Sequence, residues 1–215
     1  MKYSGLKRFA VFSFFLFLVP LEASADYLGQ RTKFFVDSSY DLFEREEIYA
    51  TVKKISKDFY FYLDDDWWTA LSSQKQHEVL QSLKFLDQEF AENIYPTLTS
   101  IFGREASPGI DRDTRITVLI FPMKEEAGGY FNEADAHSKE EWPQSNEREM
   151  IYLNSQHITS ANAKALLAHE FMHLITQNQK DNILKVGEEI WLNEARSEYA
   201  PTLLGYDDIY NGSNL

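Results

Sequence analysis

The chain has no cysteine, and its 215 residues include fewer basic than acidic side chains. The absence of cysteine excludes disulfide bonds, thiolate ligands to a metal, and a lipid attached to a cysteine after cleavage. With 21 Lys and Arg against 34 Asp and Glu, the formal net charge is −13, which disfavours nucleic acid and anionic membranes as partners. Hydrophobic residues make up 44% of the chain and aromatic residues 15%, as in a globular protein.

Long hydrophobic runs are also missing, apart from a short one near the N-terminus. This run covers residues 9–19, well short of the ~20 residues needed to cross a bilayer. Lys2, Lys7 and Arg8 precede it, and a basic segment before a short apolar one is typical of a secretory signal peptide. A retained membrane segment is the weaker interpretation, so no stable membrane anchor is expected.

The residues after the apolar run predict where the signal peptide ends. Ala23 and Ala25 form a small-x-small pattern before Asp26, which predicts cleavage after Ala25. We therefore predict a signal peptide over 1–25 and one exported domain over 26–215, either secreted or periplasmic. A chain of about 190 residues suits a single domain with a sizeable core.

Hydrophobic periodicity predicts a β-rich first half followed by helices. Runs of β-branched and aromatic residues favour strands, and apolar residues at helical spacing favour helices. The first predicted strand is also compatible with a short helix, and Pro96 is expected to interrupt the first long helix. Predicted strands cover 46–55, 59–63, 115–121 and 149–154, and predicted helices cover 72–101, 161–177 and 190–204.

The motif His169-Glu170-Phe171-Met172-His173 lies inside the second predicted helix. Residues four apart lie about 40° apart around a helix axis, so His169 and His173 project from one face. Two imidazoles placed in this way bind one zinc ion at about 2.0–2.1 Å. Glu170 lies about 100° from His169, where it reaches a water at the metal without competing for the ion. The H-E-x-x-H pattern therefore indicates metal-assisted hydrolysis.

The alternative is an amphipathic helix with two structural histidines and a surface glutamate. Three features favour a metal site instead. No Pro or Gly interrupts 161–177, so a strong helix is predicted. Leu167, Phe171 and Leu174 lie away from the histidines, which predicts one buried flank and one flank that displays the motif. Glu194, on the next predicted helix, adds a carboxylate as the third ligand.

The motif HEFMH, followed by WLNEARSEY around Glu194, resembles the gluzincin zinc metallopeptidases. The resemblance implies that His169, His173 and Glu194 bind one catalytic Zn²⁺ and that Glu170 is the general base. It also implies that Glu198 hydrogen-bonds a ligand histidine and so fixes its ring orientation. A solvated helix glutamate is the alternative for Glu198.

A longer similarity links the chain to secreted bacterial peptidases of the hyicolysin type. It includes segments 59–68, 94–96, 128–132, 145–154 and 167–171, and so covers most of the predicted mature chain. The resemblance implies a zincin-like α+β fold, in which a mixed sheet packs on the H-E-x-x-H helix and a further helix carries the third ligand. Because 21 residues follow Glu194, it also implies that a C-terminal subdomain is missing.

The resemblance implies a secreted zinc endopeptidase that acts on a protein or peptide. In gluzincins the substrate lies along an edge strand beside the active-site helix. Segments 149–154 and 128–130 are the candidates for this edge strand. For 128–130, a flexible Gly-Gly cover over the site is an equal alternative. A hydrogen-bond donor to the developing oxyanion is expected but not assigned. The available side chains are Tyr130, Tyr199, Tyr206, Tyr210, His137 and His157.

Two further functions compete with the peptidase. One is a catalytically silent exported binding module that keeps the fold, and the other is a structural domain with core histidines. Asp64–Asp66, and Asp111 with Asp113, are candidate Ca²⁺ ligands, but neither group has the spacing of a calcium loop. Solvated turn acids are therefore the favoured interpretation of both groups. The sequence makes no prediction of oligomeric state.

Overall fold

The computed structural model describes residues 25–210 and 212, so the predicted signal peptide up to residue 24 lies outside the described residues. The chain forms an α+β fold around one mixed six-stranded sheet, which confirms the predicted class. The strands are β1 (Arg31–Phe35), β2 (Glu47–Ile55), β3 (Phe59–Asp64), β4 (Ile116–Phe121), β5 (Gly129–Tyr130) and β6 (Met150–Asn154).

The sheet has the strand order β1-β2-β3-β4-β6-β5. The two central pairings, β3 with β4 and β4 with β6, are parallel, and the outer pairings are antiparallel. Every residue of β3, β4 and β6 is buried, as expected for strands that are covered on both faces. Since β6 lies between β4 and β5, the alternative that 149–154 is an edge strand is wrong. Gly129–Tyr130 forms that edge.

The helices follow the predicted order with a few additions. No helix in the described part of the chain is long and apolar enough to span a bilayer. π-Helical turns over Phe90–Ile94 and Asn178–Leu184 extend two of them, and a 3₁₀ turn covers Glu133–Ala136. The α-helices are α1 (Asp65–Ala70), α2 (Ser73–Glu89), α3 (Tyr95–Phe102), α4 (Ala163–Gln177) and α5 (Ile190–Leu203).

The interruption expected at Pro96 takes the form of a π-helical turn between α2 and α3 rather than a break in the helical path. The backbone widens into the π-helical turn just before Pro96, where the Tyr95 N–H donates to the Phe90 carbonyl five residues back. Pro96 then lies in the first turn of α3, where its missing N–H leaves no helical hydrogen bond unmade. The helical path from α2 to α3 therefore continues through the proline.

Helix α4 lies against one face of the sheet, and aromatic rings pack it against the helical segment that joins α2 to α3. The Phe171 ring lies 4.8 Å from that of Phe90 and 5.7 Å from that of Tyr95, measured between centroids. The expectation of one buried flank and one open flank is wrong, because every residue of α4 except Lys164 is buried. The sheet and α2 cover one side, and α5 covers part of the side that bears the motif.

The acidic groups considered for calcium have structural roles. Asp64 is buried, accepts the Trp67 N–H at 2.7 Å and pairs with Arg45 at 3.0 Å. Asp113 accepts the Tyr60 hydroxyl at 2.6 Å. For Asp64, the expectation of a solvated turn acid is wrong. Within the described residues, neither group belongs to a cluster of three donors that could hold a metal.

Candidate metal centre

Helix α4 places the two motif histidines side by side in the interior. His169 is 1% exposed and His173 is 6% exposed. Their Nε2 atoms lie 3.1 Å apart, as the i, i+4 spacing on one helix predicts. Donor atoms of His169, Glu170 and His173 all lie within 4.8 Å of one another. The histidines can therefore share one ion.

Helix α5 brings Glu194 to the same point. Its Oε2 atom lies 3.7 Å from His169 Nε2 and 3.7 Å from His173 Nε2. Ligand atoms at 2.0–2.1 Å from one tetrahedral ion lie about 3.4 Å apart. The observed separations of 3.1, 3.7 and 3.7 Å are close to that value. The two nitrogens and this oxygen therefore fit a single small divalent cation.

The hydrogen bonding of the two carboxylates supports the same conclusion. Oε2 of Glu194 and Oε2 of Glu170 are buried, and neither has a hydrogen-bond partner among the described residues. An unpaired buried carboxylate oxygen is costly. A cation between Glu194 and the two imidazoles removes that cost for Glu194, because charge pairing replaces the lost hydration.

The electrostatics of the protein alone favour neutral imidazoles and disfavour ionised carboxyls. Burial lowers the pKa of His169, and burial with the nearby His169 lowers the pKa of His173 to about 3. Burial, with the charges of Glu194 and Glu198, raises the pKa of Glu170 well above its usual value. Burial and Glu198 also raise the pKa of Glu194. Neutral imidazole is the form that binds a metal, and a cation offsets the repulsion among the carboxylates.

The outer nitrogens of both rings have partners that fix the rings. His173 Nδ1 lies 3.1 Å from Asn193 Oδ1 and 3.2 Å from Ser197 Oγ. His169 Nδ1 lies 3.1 Å from the Tyr210 hydroxyl. With Nδ1–H donated to these oxygens, each Nε2 carries the lone pair that faces the ion.

Glu198 lies close to His169 but beyond hydrogen-bonding distance. Its Oε1 atom is 3.9 Å from His169 Nδ1, whereas the Tyr210 hydroxyl is closer. Glu198 therefore contributes negative charge beside the ring, and the hydrogen bond assigned to it by the resemblance stays a prediction.

Glu170 lies next to the edge strand of the sheet. A Cβ added to Gly129 would lie 2.5 Å from the Tyr152 carbonyl oxygen and 2.9 Å from Glu170 Oε1. Both distances are too short for any other residue, so glycine is required here for the close approach of β5 to the Glu170 carboxylate. Gly129 is itself buried and paired with Leu153, so the alternative of a flexible cover is wrong at this position.

A cavity of about 290 Å³ opens over the donors. His169, Glu170, His173 and Glu194 form one wall of it. The rest of the lining is largely aromatic and polar. These residues are Tyr40, Tyr130, Phe131, Asn132, Glu133 and Asn193.

Most of the side chains considered for the oxyanion are engaged elsewhere. The Tyr130 hydroxyl accepts the Asp37 N–H at 3.1 Å, and the Tyr206 hydroxyl donates to Glu89 at 2.6 Å. Tyr210 contacts His169. His137 lies 3.5 Å from Glu141. Of the six candidates, Tyr130 is the one that lines the cavity.

Three site residues had no role in the sequence interpretation: Asn193, Ser197 and Tyr40. Asn193 and Ser197 are four apart on α5, in parallel with Glu194 and Glu198, so their helical spacing was the available signal. Tyr40 lies more than 120 residues before the motif, and no local pattern connects it to α4.

Fold and donors together define an α+β protein with a candidate site for a divalent cation, built from two histidines and nearby carboxylates. No family model matches the chain, and no curated protein matches it. The assignment of function therefore depends on the geometry of the site and on the sequence motif.

Proposed function

We propose that the protein is an exported zinc-dependent endopeptidase with a zincin-like fold. In this proposal His169, His173 and Glu194 hold one Zn²⁺, and Glu170 is the general base. One observation is the main support for this proposal. The buried Oε2 of Glu194, which has no hydrogen-bond partner in the described structure, lies 3.7 Å from each of two imidazole nitrogens that are 3.1 Å apart.

The chemistry of the donors supports zinc over harder cations. Ca²⁺ and Mg²⁺ prefer oxygen ligands, whereas two imidazoles with one carboxylate suit Zn²⁺. Three protein ligands also leave one coordination position for water or substrate, as in catalytic rather than structural zinc sites. The cavity of about 290 Å³ beside the donors provides the space for that group.

When bound, the ion supplies Lewis-acid chemistry, making water more acidic and polarising the substrate carbonyl. Glu170 takes a proton from the attacking water, whose oxygen adds to the carbonyl carbon. Glu170 then passes the proton to the amine nitrogen as the C–N bond breaks, so atoms and charges balance. In the metal-free protein the pKa of Glu170 is raised by burial and by the neighbouring carboxylates, and a nearby cation would lower it, favouring the ionised form that accepts a proton.

The sheet supplies a place for a peptide substrate. Strand β5 forms the outer edge of the sheet, with β6 on its inner side. An extended peptide that adds to this edge pairs with its backbone and passes close to Glu170, which lies against Gly129. Backbone pairing of this kind selects an extended chain over a folded one, so unfolded proteins and peptides are the proposed substrates.

A second candidate, a binding module without catalysis, is favoured by one observation. Large apolar side chains are exposed on and just before α5, among them Ile190 at 80% and Trp191 at 67%. Such a surface beside a metal site is suited to holding an apolar partner. This function gives Glu170 no chemical role.

Glu170→Gln separates the two candidates. The purified protein is analysed for bound zinc and assayed on a denatured protein, with Glu140→Gln as an exposed control of the same chemical change. The peptidase proposal expects zinc in all three proteins and cleavage by wild type and Glu140→Gln. Glu170→Gln should be slower by 10²–10⁴-fold, about the contribution of a general base.

The other outcomes are equally informative. Zinc without cleavage in wild type overturns the peptidase and supports the binding module. Cleavage that survives in Glu170→Gln overturns the role of Glu170. Absence of bound zinc, after loading at neutral pH, overturns the peptidase and supports a structural domain with core histidines.

A further inference from the structure

Tyr40 is held rigidly at the wall of the metal cavity, on a segment that precedes β2. The Leu42 N–H donates to the Pro122 carbonyl at 3.1 Å, and the Lys124 N–H donates to the Tyr40 carbonyl at 2.9 Å. Asp41 forms an isolated antiparallel bridge with Met123. The backbone at Tyr40 is therefore fixed to the chain just after β4.

The Tyr40 ring is fixed as well, because it belongs to a stack of three tyrosines. It lies 4.7 Å from the Tyr130 ring at an interplanar angle of 14°, and Tyr130 lies 4.1 Å from Tyr152 at 9°. The inner end of the stack is anchored, since the buried Tyr152 hydroxyl donates to Asp135. A ring held in this way keeps its hydroxyl in one place.

The Tyr40 hydroxyl has no hydrogen-bond partner among the described residues, in contrast to the hydroxyls of Tyr130 and Tyr152. Tyr40 lines the cavity that also contains His169, Glu170 and Glu194. Burial, with the charges of Asp37, Glu170 and Glu194, raises its pKa. The phenol therefore stays protonated and available to donate a hydrogen bond at neutral pH.

We propose that Tyr40 donates a hydrogen bond to the carbonyl oxygen of the peptide substrate as negative charge develops on that oxygen. This inference rests on the proposed peptidase function and assigns the donor that the sequence left open. Because the ring is held before substrate arrives, the donor needs little reorganisation during the reaction, which is the condition for strong stabilisation of an oxyanion.

Tyr40→Phe is the direct test, because phenylalanine preserves the stacked ring and removes the hydroxyl alone. Tyr49→Phe is the control, since Tyr49 lies half-exposed on β2 with its ring over Arg31. We expect Tyr40→Phe to lower kcat by on the order of 10²-fold, as for loss of one oxyanion donor, while KM and zinc content stay close to wild type. Tyr49→Phe should match wild type.

Binding of a phosphonamidate peptide, a tetrahedral anion that mimics the intermediate formed when water adds to the carbonyl, gives a readout that does not depend on turnover. The zinc-loaded Tyr40→Phe protein should bind it at least 10-fold more weakly than wild type. Equal kcat and equal affinity in the two proteins overturn the role of Tyr40 and leave the peptidase standing. If wild type hydrolyses no peptide, the proposed function is overturned. If wild type also fails to bind the phosphonamidate, the role of Tyr40 is overturned as well.

Discussion

Helices α4 and α5 both supply donors to the candidate metal site, yet they are held in opposite ways. Every residue of α4 except Lys164 is buried, whereas on α5 the buried residues are Ser197, Ala200 and Pro201. The two histidines therefore come from a helix that is buried in the core. Glu194 comes from a helix whose outer face carries exposed apolar side chains such as Ile190.

The contacts between the two helices explain how α5 keeps its place. Polar groups of α5 meet the histidines of α4, through Asn193 and Ser197 at His173 Nδ1. A second contact is made by Arg196 of α5, which donates to the Thr176 hydroxyl of α4 at 3.4 Å. The groups that orient the metal ligands thus also hold α5 against α4. A bound ion would strengthen this contact, because it links Glu194 to both histidines.

The largest expected difference between the two helices concerns packing. Phe171→Ala in α4 should lower the free energy of unfolding by about 3–5 kcal/mol, the usual cost of removing a buried aromatic ring. Tyr199→Ala on α5, where the side chain is 53% exposed, should cost about 0.5 kcal/mol or less. Chemical denaturation of the metal-free proteins measures both values. Similar losses at the two positions would show that α5 is as tightly packed as α4.

A buried acid away from α4, Glu149, precedes β6 and offers a comparison with the packing of that helix. Burial, with the charges of Asp111 and Glu105, raises the pKa of Glu149 to about 7, against about 4.5 for an exposed glutamate. The folded state thus binds this proton more tightly than the unfolded state. Its contribution to stability is present at low pH and is lost as the pH rises from about 4.5 to 7, by up to about 3 kcal/mol.

Glu149→Gln isolates this pH effect. Glutamine keeps an oxygen to accept the Ile110 N–H, which Glu149 accepts at 3.1 Å. The variant should match wild type near pH 4.5 and become more stable than wild type above pH 7. Denaturant midpoints across that range measure the difference. A difference that does not vary with pH would show that Glu149 is ionised in the fold throughout.

The smallest expected effect concerns the polar contact between the helices. Asn193→Ala removes the amide oxygen beside His173 Nδ1, and loss of such an orienting partner typically lowers metal affinity by about 10–100-fold. Asn182→Ala, a change of the same kind at an exposed residue, should leave the affinity unchanged. Competitive zinc titration compares the three proteins. An unchanged affinity in Asn193→Ala would show that α5 does not orient the ligands of α4.

The elements with strong local patterns were predictable from the sequence. The periodicity of 161–177 predicts α4, and continuous apolar runs predict β3, β4 and β6. The edge strand β1 was missed, since it carries mixed polarity, and the two-residue strand β5 was indicated only by the resemblance, as a candidate edge strand. Their formation depends on pairing with distant strands, which local propensity does not encode.

The candidate site likewise has one part that the local sequence predicts and another that depends on long-range packing. The spacing of His169, Glu170 and His173 on one helix is a local property, so the motif predicts the proximity of these side chains. The burial of the motif and the approach of Tyr40 depend on packing between segments far apart in sequence. Glu194 lies between these cases, because a resemblance rather than a spacing rule indicated it.

A crystal structure of the zinc-loaded protein, with anomalous scattering measured at the zinc edge, shows whether the three donors bind one ion. We expect one strong anomalous peak at about 2.0–2.1 Å from Nε2 of His169, Nε2 of His173 and a carboxylate oxygen of Glu194. A zinc ion bound elsewhere, or one coordinated by the histidines with the Glu194 carboxylate turned away, would contradict this expectation.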